Sequence, residues 1–346
     1  MKILYFGSVF SPYQNSFWKE CENYCEVESL YLSVTQQGHQ WNLPDQKNVI
    51  NLNYYKNKIN AYKVLFKEIR SKEIDILIIG GYKMPMSLFV IFVGFLLRKK
   101  IFLWLERPIR QGSLILLLRS IYLTILRPFL NGVLVIGEDA KKDYQKYFNV
   151  IFNLPYSFQI DKFVPRNKSH IKTLNFIFIG QYIPRKGVLE LIEGFKASKN
   201  QEIQLTLAGG GILDEEINQR IHGVDNIKNI GYIDYQKVPD ILNKHDIFIL
   251  PSRHDGWAVV ICEAMAAGLF IIGTKFTSAC NEYIVDKKNG LFVEVDSASI
   301  CKKIQWCVEN KNQVNKGGVE NQNLIEQSMS NAEVAAKELV LFVEDM

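Results

Sequence analysis

Two adjacent cations, Arg185 and Lys186, close the run Gly180-Gln181-Tyr182-Ile183-Pro184-Arg185-Lys186-Gly187, which follows a short apolar segment and opens a helical one. Cations in the first turn of a helix oppose its dipole, so an anion is expected to neutralise them. The competing reading is a solvated surface pair beside a turn glycine. A second segment runs Leu250-Pro251-Ser252-Arg253-His254-Asp255-Gly256-Trp257-Ala258-Val259-Val260-Ile261-Cys262-Glu263, from an apolar strand through a charged loop into a helix beginning near Trp257. Glu263 lies between Cys262 and Ala264 among apolar and small residues, so its carboxylate needs a partner once buried. Ribose hydroxyls would satisfy it, and so would a core Arg or Lys. Ala208-Gly209-Gly210-Gly211 follows another apolar run, where glycines permit either close approach to a ligand or a plain tight turn.

These residues sit where ligands sit in open α/β folds, beyond the carboxyl ends of strands. Short apolar runs alternate with helix-period segments along the whole chain, the pattern of β-α-β units around parallel sheets. In the first half the strands read as Lys2–Phe6, Ile74–Ile79, Ile101–Leu105 and Val133–Ile136, with helices over Ile59–Ser71, Pro85–Leu97, Leu114–Leu126 and Asp139–Phe148. The pattern lapses near Asn153-Leu154-Pro155-Tyr156 and resumes with strands at Leu174–Ile179, Ile203–Leu207, Ile227–Ile230, Ile247–Leu250, Phe270–Ile272 and Leu291–Val293. The expected organisation is therefore two doubly wound, Rossmann-like domains. The first covers 1–152, a linker 153–172 and the second 173–325, and a final helix at 326–346 packs back on the first domain.

At 346 residues the chain exceeds one ordinary core and suits two. Its 48% hydrophobic and 22% charged residues are those of a globular protein. A net charge of +5 without long basic runs gives no reason to expect nucleic acid. Cys21, Cys25, Cys262, Cys280, Cys301 and Cys307 form no C-x-x-C pair, and His39, His170, His222 and His245 show no ligand spacing, so neither a metal site nor a disulfide framework is expected. The longest apolar stretch, Met86 to Leu97, is too short to span a bilayer, and a cytoplasmic location is expected.

Taken together, the strand-glycine-Arg-Lys-Gly segment at 180–187, the Ala-Gly-Gly-Gly turn, Ile230-Gly231-Tyr232, the 250–268 block, Glu282 and Asn289-Gly290-Leu291 resemble the signature of retaining glycosyltransferase family four. Asp255 and Glu263 have that family's spacing of two acidic residues separated by seven others. The resemblance implies a GT-B fold with the donor in an interdomain cleft, and a hexosyltransferase-type activity, retaining at the anomeric carbon. It implies a nucleoside diphosphate sugar as donor and a glycan or lipid-linked acceptor, as in bacterial surface polysaccharide biosynthesis. Lys186 and Arg185 would meet the donor diphosphate, a role that stands in for a metal and needs no cofactor. Asp255 would contact the sugar and Glu263 the ribose. Gly180, Gln181, Gly209 and Gly256 would line the donor, with backbone amides of Trp257, Ala258, Val259 and Val260 on its phosphates and Gly231 and Tyr232 at the base. The sequence departs from the pattern at Asp255 (usually Glu), Ala258 (commonly Gly) and Gln181 (often Arg), which keeps open a non-catalytic nucleotide-sugar-binding partner subunit of the same fold.

In the first half Gly7 and Ser8, after the first strand, and Glu106, at the end of another, are acceptor-side candidates, with Glu106 a ligand or base. Leu114–Leu126 is apolar on almost every face and carries Arg110, Arg119 and Arg127 near Arg98-Lys99-Lys100. Such a surface suits peripheral contact with anionic lipid, while a buried helix with arginines reaching to solvent explains it equally.

Overall fold

The structure, a computed structural model, describes residues 1–9, 11–33, 49–52, 58–108, 113–164 and 173–346. His39, Arg110, His170 and the end of the expected linker fall outside them. The chain divides into two compact units, Met1–Phe158 with Ala332–Met346, and Gln159–Asn331.

The first unit contains β1 (Lys2–Val9), α1 (Pro12–Cys21), β2 (Glu26–Ser33), β3 (Val49–Asn51), α2 (Lys58–Ile69), β4 (Ile76–Gly80), α3 (Pro85–Leu96), β5 (Lys100–Leu105), α4 (Ser113–Leu126), β6 (Gly132–Val135), α5 (Glu138–Tyr144) and β7 (Ile151–Asn153). The strands form one sheet in the order β3-β2-β1-β4-β5-β6-β7, and every described pairing is parallel. Central strands such as Ile76-Leu77-Ile78-Ile79 are buried on both sides, which is why they read as unbroken apolar runs. Sheet order turns around between β1 and β4. Right-handed crossovers therefore place α1 on one face and α3, α4 and α5 on the other. Ser11 starts α1 with a reciprocal capping box to Gln14, and Pro12 occupies its first turn, where a missing N–H costs nothing.

Three of these strands were not legible as apolar runs. In β2 the alternation is broken by Glu28, a half-buried carboxylate held 3.5 Å from Lys2; β3 and β7 are three residues each. The first sheet thus has seven strands where four were expected.

The second unit contains β8 (Asn175–Ile179), α6 (Val188–Ala197), β9 (Gln204–Ala208), α7 (Asp214–Ile221), β10 (Ile227–Asn229), α8 (Val238–Leu242), β11 (Ile247–Leu250), α9 (Val259–Ala266), β12 (Phe270–Gly273), α10 (Ser278–Tyr283), β13 (Gly290–Phe292), α11 (Ser297–Glu309) and α12 (Lys311–Glu326). Its six strands, ordered β10-β9-β8-β11-β12-β13, are again parallel and coincide with the six apolar runs of the sequence. Here the order turns around between β8 and β11.

The last helix, α13 (Ala332–Glu344), returns to the first unit, starting later than the residue 326 assigned from sequence. It packs on α1. Phe342 stacks on Phe152 at 4.6 Å and meets Phe102 at 5.8 Å, sealing the face of the sheet that α1 leaves open.

Candidate donor site at the turning point of the second sheet

The loops after β8 and β11 flank the point where strand order reverses, the usual position of a ligand crevice in such sheets. The first loop ends in a short 3-10 turn, Pro184–Lys186, closed by Gly187 at φ 68°. The cations therefore precede α6 instead of occupying its first turn. A side chain at Gly187 would need that left-handed φ and would strike the Pro251 carbonyl at 2.2 Å, so the two loops are in contact through a position only glycine fills well.

That contact aims the side chains. The Lys186 ammonium pairs with the Asp255 carboxylate, and Arg185 Nη1 lies 3.7 Å from the same oxygen while donating to the His254 carbonyl. Lys186 is 9% exposed, so this pair is largely shielded from water. The backbone holds the frame independently: the Arg253 amide donates to the Arg185 carbonyl at 2.8 Å, and the Asp255 amide to the Phe276 carbonyl at 3.0 Å. Arg253 reaches back to Glu190 at 2.6 Å. His254 contributes its carbonyl to this loop geometry.

The helix following the loop begins at Val259, two residues later than the sequence suggested, because Ala258 takes φ 62°, ψ 73°. This is the left-handed region, which costs an alanine about 1–2 kcal/mol. Ala258 stands where the resemblance has a glycine, and the backbone still adopts the glycine conformation. Ala258→Gly should therefore raise the unfolding free energy by about 1 kcal/mol with little change in structure, a gain that urea denaturation would detect. The amides of Trp257, Ala258, Val259 and Val260 have no acceptor among the described residues. The Trp257 side chain is buried against Tyr283, which anchors the turn.

One turn into α9, Glu263 is 2% exposed, and its carboxylate has no hydrogen bond or ion pair among the described residues. None of the described Arg or Lys side chains answers it. Burial pushes its carboxyl up to about 8. Tyr235 senses it, its own ionisation suppressed by burial first and by Glu263 second. Sequence reasoning missed Tyr235. It lies just beyond the singled-out Gly231-Tyr232, and nothing in one sequence marks a tyrosine in a short turn as coupled to a carboxylate on a later helix.

The remaining glycines form a second cluster at the ends of β8, β9 and β10. The Gly209 amide donates to Gly231 at 2.8 Å, and a Cβ at Gly209 would lie 1.9 Å from the Gly180 carbonyl. Gly209→Ala should cost roughly 2–4 kcal/mol, measured by chemical denaturation, because rigid backbone would have to move. Gly231 has open space around it, and Tyr232 is 55% exposed beside it. Gln181 is half-buried between Gly180 and the buried Tyr182.

In the first unit, Gly7 and Ser8 lie within β1, not after it, because pairing with β2 runs on through Gly7 to Val9. The space a Cβ would take at Gly7 is filled by the Tyr5 ring at 2.7 Å, so packing alone accounts for that glycine. Glu106 is exposed and accepts a 2.8 Å hydrogen bond from the Tyr156 hydroxyl. The described residues include no group of three or more His, Cys, Asp or Glu side chains placed to hold a metal.

Two parallel, doubly wound sheets, the second with a cation–carboxylate cluster at its turning point, make this a protein of two Rossmann-like domains with the fold of GT-B glycosyltransferases. The whole chain superposes on sucrose-phosphate synthase from Thermosynechococcus elongatus, covering 100% of this chain and 99% of that one at 14% identity and a TM-score of 0.74. It superposes equally completely on HepE from Anabaena in complex with UDP, covering 100% of both chains at 14% identity and a TM-score of 0.77. At these identities the likeness is one of fold. Residues 160–324, nearly all of the second unit, match the family model described as Glycosyl transferases group 1. An uncharacterized glycosyltransferase of Methanocaldococcus jannaschii is 26% identical over 282 residues, 78% of this chain and 75% of that protein. The capsular polysaccharide biosynthesis glycosyltransferase CapM of Staphylococcus aureus is 26% identical over 162 residues, 44% of this chain and 42% of that protein.

Proposed function

We propose that this chain is a retaining glycosyltransferase that moves a sugar, a hexose, from a nucleoside diphosphate sugar to a glycan or lipid-linked acceptor in the assembly of a surface polysaccharide. The observation that carries the reading is Glu263, a buried carboxylate with no hydrogen-bond or ion-pair partner among the described residues, on a helix whose N-terminal amides also have no acceptor among them. A nucleotide offers both complements, hydroxyls for the carboxylate and phosphates for the amides. Lys186 and Arg185 supply positive charge beside those amides. As the glycosidic bond to the diphosphate breaks, negative charge accumulates on the leaving oxygen, and fixed cations and amides stabilise it without reorganising. Asp255 holds the Lys186 ammonium in place and would meet the transferred sugar. HepE, similar in fold over its full length, has been captured with UDP and with UDP and glucose, which supports a nucleotide sugar here. The relation to CapM supports the polysaccharide role. No metal or other cofactor enters the proposed chemistry.

Melting curves in the presence of uridine, guanosine, adenosine and thymidine diphosphates and their sugars test the reading. A specific ligand at a hundred times its Kd adds about 2.7 kcal/mol of stability, a shift of several degrees. Release of nucleoside diphosphate from the sugar that binds, dependent on an acceptor glycan, would distinguish a transferase from a partner subunit that only binds donor.

A further inference from the structure

α3 and α4 occupy adjacent crossovers on one face of the first sheet, and their inner sides give Val90, Ile91, Leu123 and Leu126 to its core. Their outer sides are apolar as well. Leu96 is 62%, Leu114 69% and Ile125 61% exposed, and Phe92, Leu117 and Ile121 are exposed by half or more. Large apolar side chains exposed on two neighbouring crossovers mark an interaction face. The charge around it is one-sided. Neither α3 nor α4 carries an acidic residue. Lys83 and Arg98 flank α3 and Arg127 follows α4, all three exposed.

This combination selects the occupant. A second copy meeting the face isologously would set the exposed cations of the two copies against each other with no acid on either helix to answer them. Among the described residues no helix is long and apolar enough to cross a membrane. Two helices lying side by side, apolar outward with cations at their ends, match the boundary between lipid headgroups and acyl chains. We propose that the outer face of α3 and α4 docks on an anionic lipid bilayer, its apolar side chains entering the headgroup boundary and Lys83, Arg98 and Arg127 meeting lipid phosphates. The docking surface belongs to the first unit alone and stands whether or not the second unit takes a nucleotide sugar. If both hold, a lipid-linked acceptor is met at the surface that carries it.

Co-sedimentation of the full chain with phosphatidylcholine vesicles, with and without roughly one phosphatidylglycerol in three lipids, tests the proposal at low salt. The wild type should bind the anionic vesicles and bind the neutral ones far more weakly. Leu117→Glu with Ile121→Glu should abolish binding while leaving the melting curve and nucleotide response unchanged, since both side chains are already in solvent. Arg98→Gln with Arg127→Gln should weaken binding to anionic vesicles about 25-fold, at about fivefold for each charge, and leave neutral vesicles unaffected. Failure of the wild type to bind, or equal binding by the variants, overturns the proposal. So does a dimer in light scattering that the Leu117 and Ile121 substitutions dissolve without any vesicle binding, which would assign the face to a second copy.

Discussion

Lys186→Met is expected to weaken nucleoside diphosphate binding about 100-fold and leave binding of the nucleoside without phosphates nearly intact. The Lys186 side chain is 11% exposed and its ammonium held by Asp255, so it is already largely desolvated and oriented where a diphosphate would arrive. A charge-assisted contact of that kind carries about 1.5–3 kcal/mol, and more where water is excluded. Folding should suffer less than binding, because Arg185, 3.7 Å from the same Asp255 oxygen, still balances the carboxylate. The double variant Lys186→Met with Asp255→Asn separates the two effects: stability should recover, since no uncompensated charge is left, and diphosphate binding should not. Recovery of both would place the anion elsewhere.

The second large effect belongs to Glu263, and it appears in stability as much as in binding. In the folded chain the carboxyl keeps its proton up to about 8, against an ordinary value of 4.5 when unfolded. Between those values the folded state binds the extra proton, so stability is full below pH 4.5 and declines as pH rises towards 8, by on the order of 3 kcal/mol at pH 7. Glu263→Gln removes this decline, so the variant should melt higher than wild type at pH 8 and match it more closely at pH 5. Its nucleoside affinity should fall about tenfold, a charged acceptor having become a neutral one, while affinity for inorganic diphosphate is unchanged. Ligand hydroxyls favour the ionised carboxylate, so wild-type affinity should also rise with pH up to about 8, and the variant's should not. A pH-independent wild type would show that the carboxyl is not in contact with ligand.

The second unit was legible because each of its six strands is a compact apolar run and each site loop follows one directly. Arg185, Lys186 and Asp255 could be named from residue type and position, yet their convergence depends on β8 and β11 being neighbours, which sequence order conceals. Glu263 was conspicuous as one charge in an apolar helix. That no Arg or Lys among the described residues answers it is a tertiary fact. Tyr235 gave no signal, since its link to Glu263 crosses between elements distant in the chain. In the first unit Glu28 disguised β2, and the apolar wealth of α4 fitted a buried and an exposed helix equally, because periodicity carries no information when every face is apolar. The exposed reading is the one the structure supports.

Isothermal titration of the full chain with a panel of nucleoside diphosphates, repeated with Lys186→Met and Glu263→Gln, addresses the donor pocket most directly. Saturable one-to-one binding of at least one member is predicted, with the first variant about 100-fold weaker and the second about tenfold weaker. Absence of binding across the panel, or affinities that neither substitution alters, would contradict the assignment of this loop pair and helix to a nucleotide sugar.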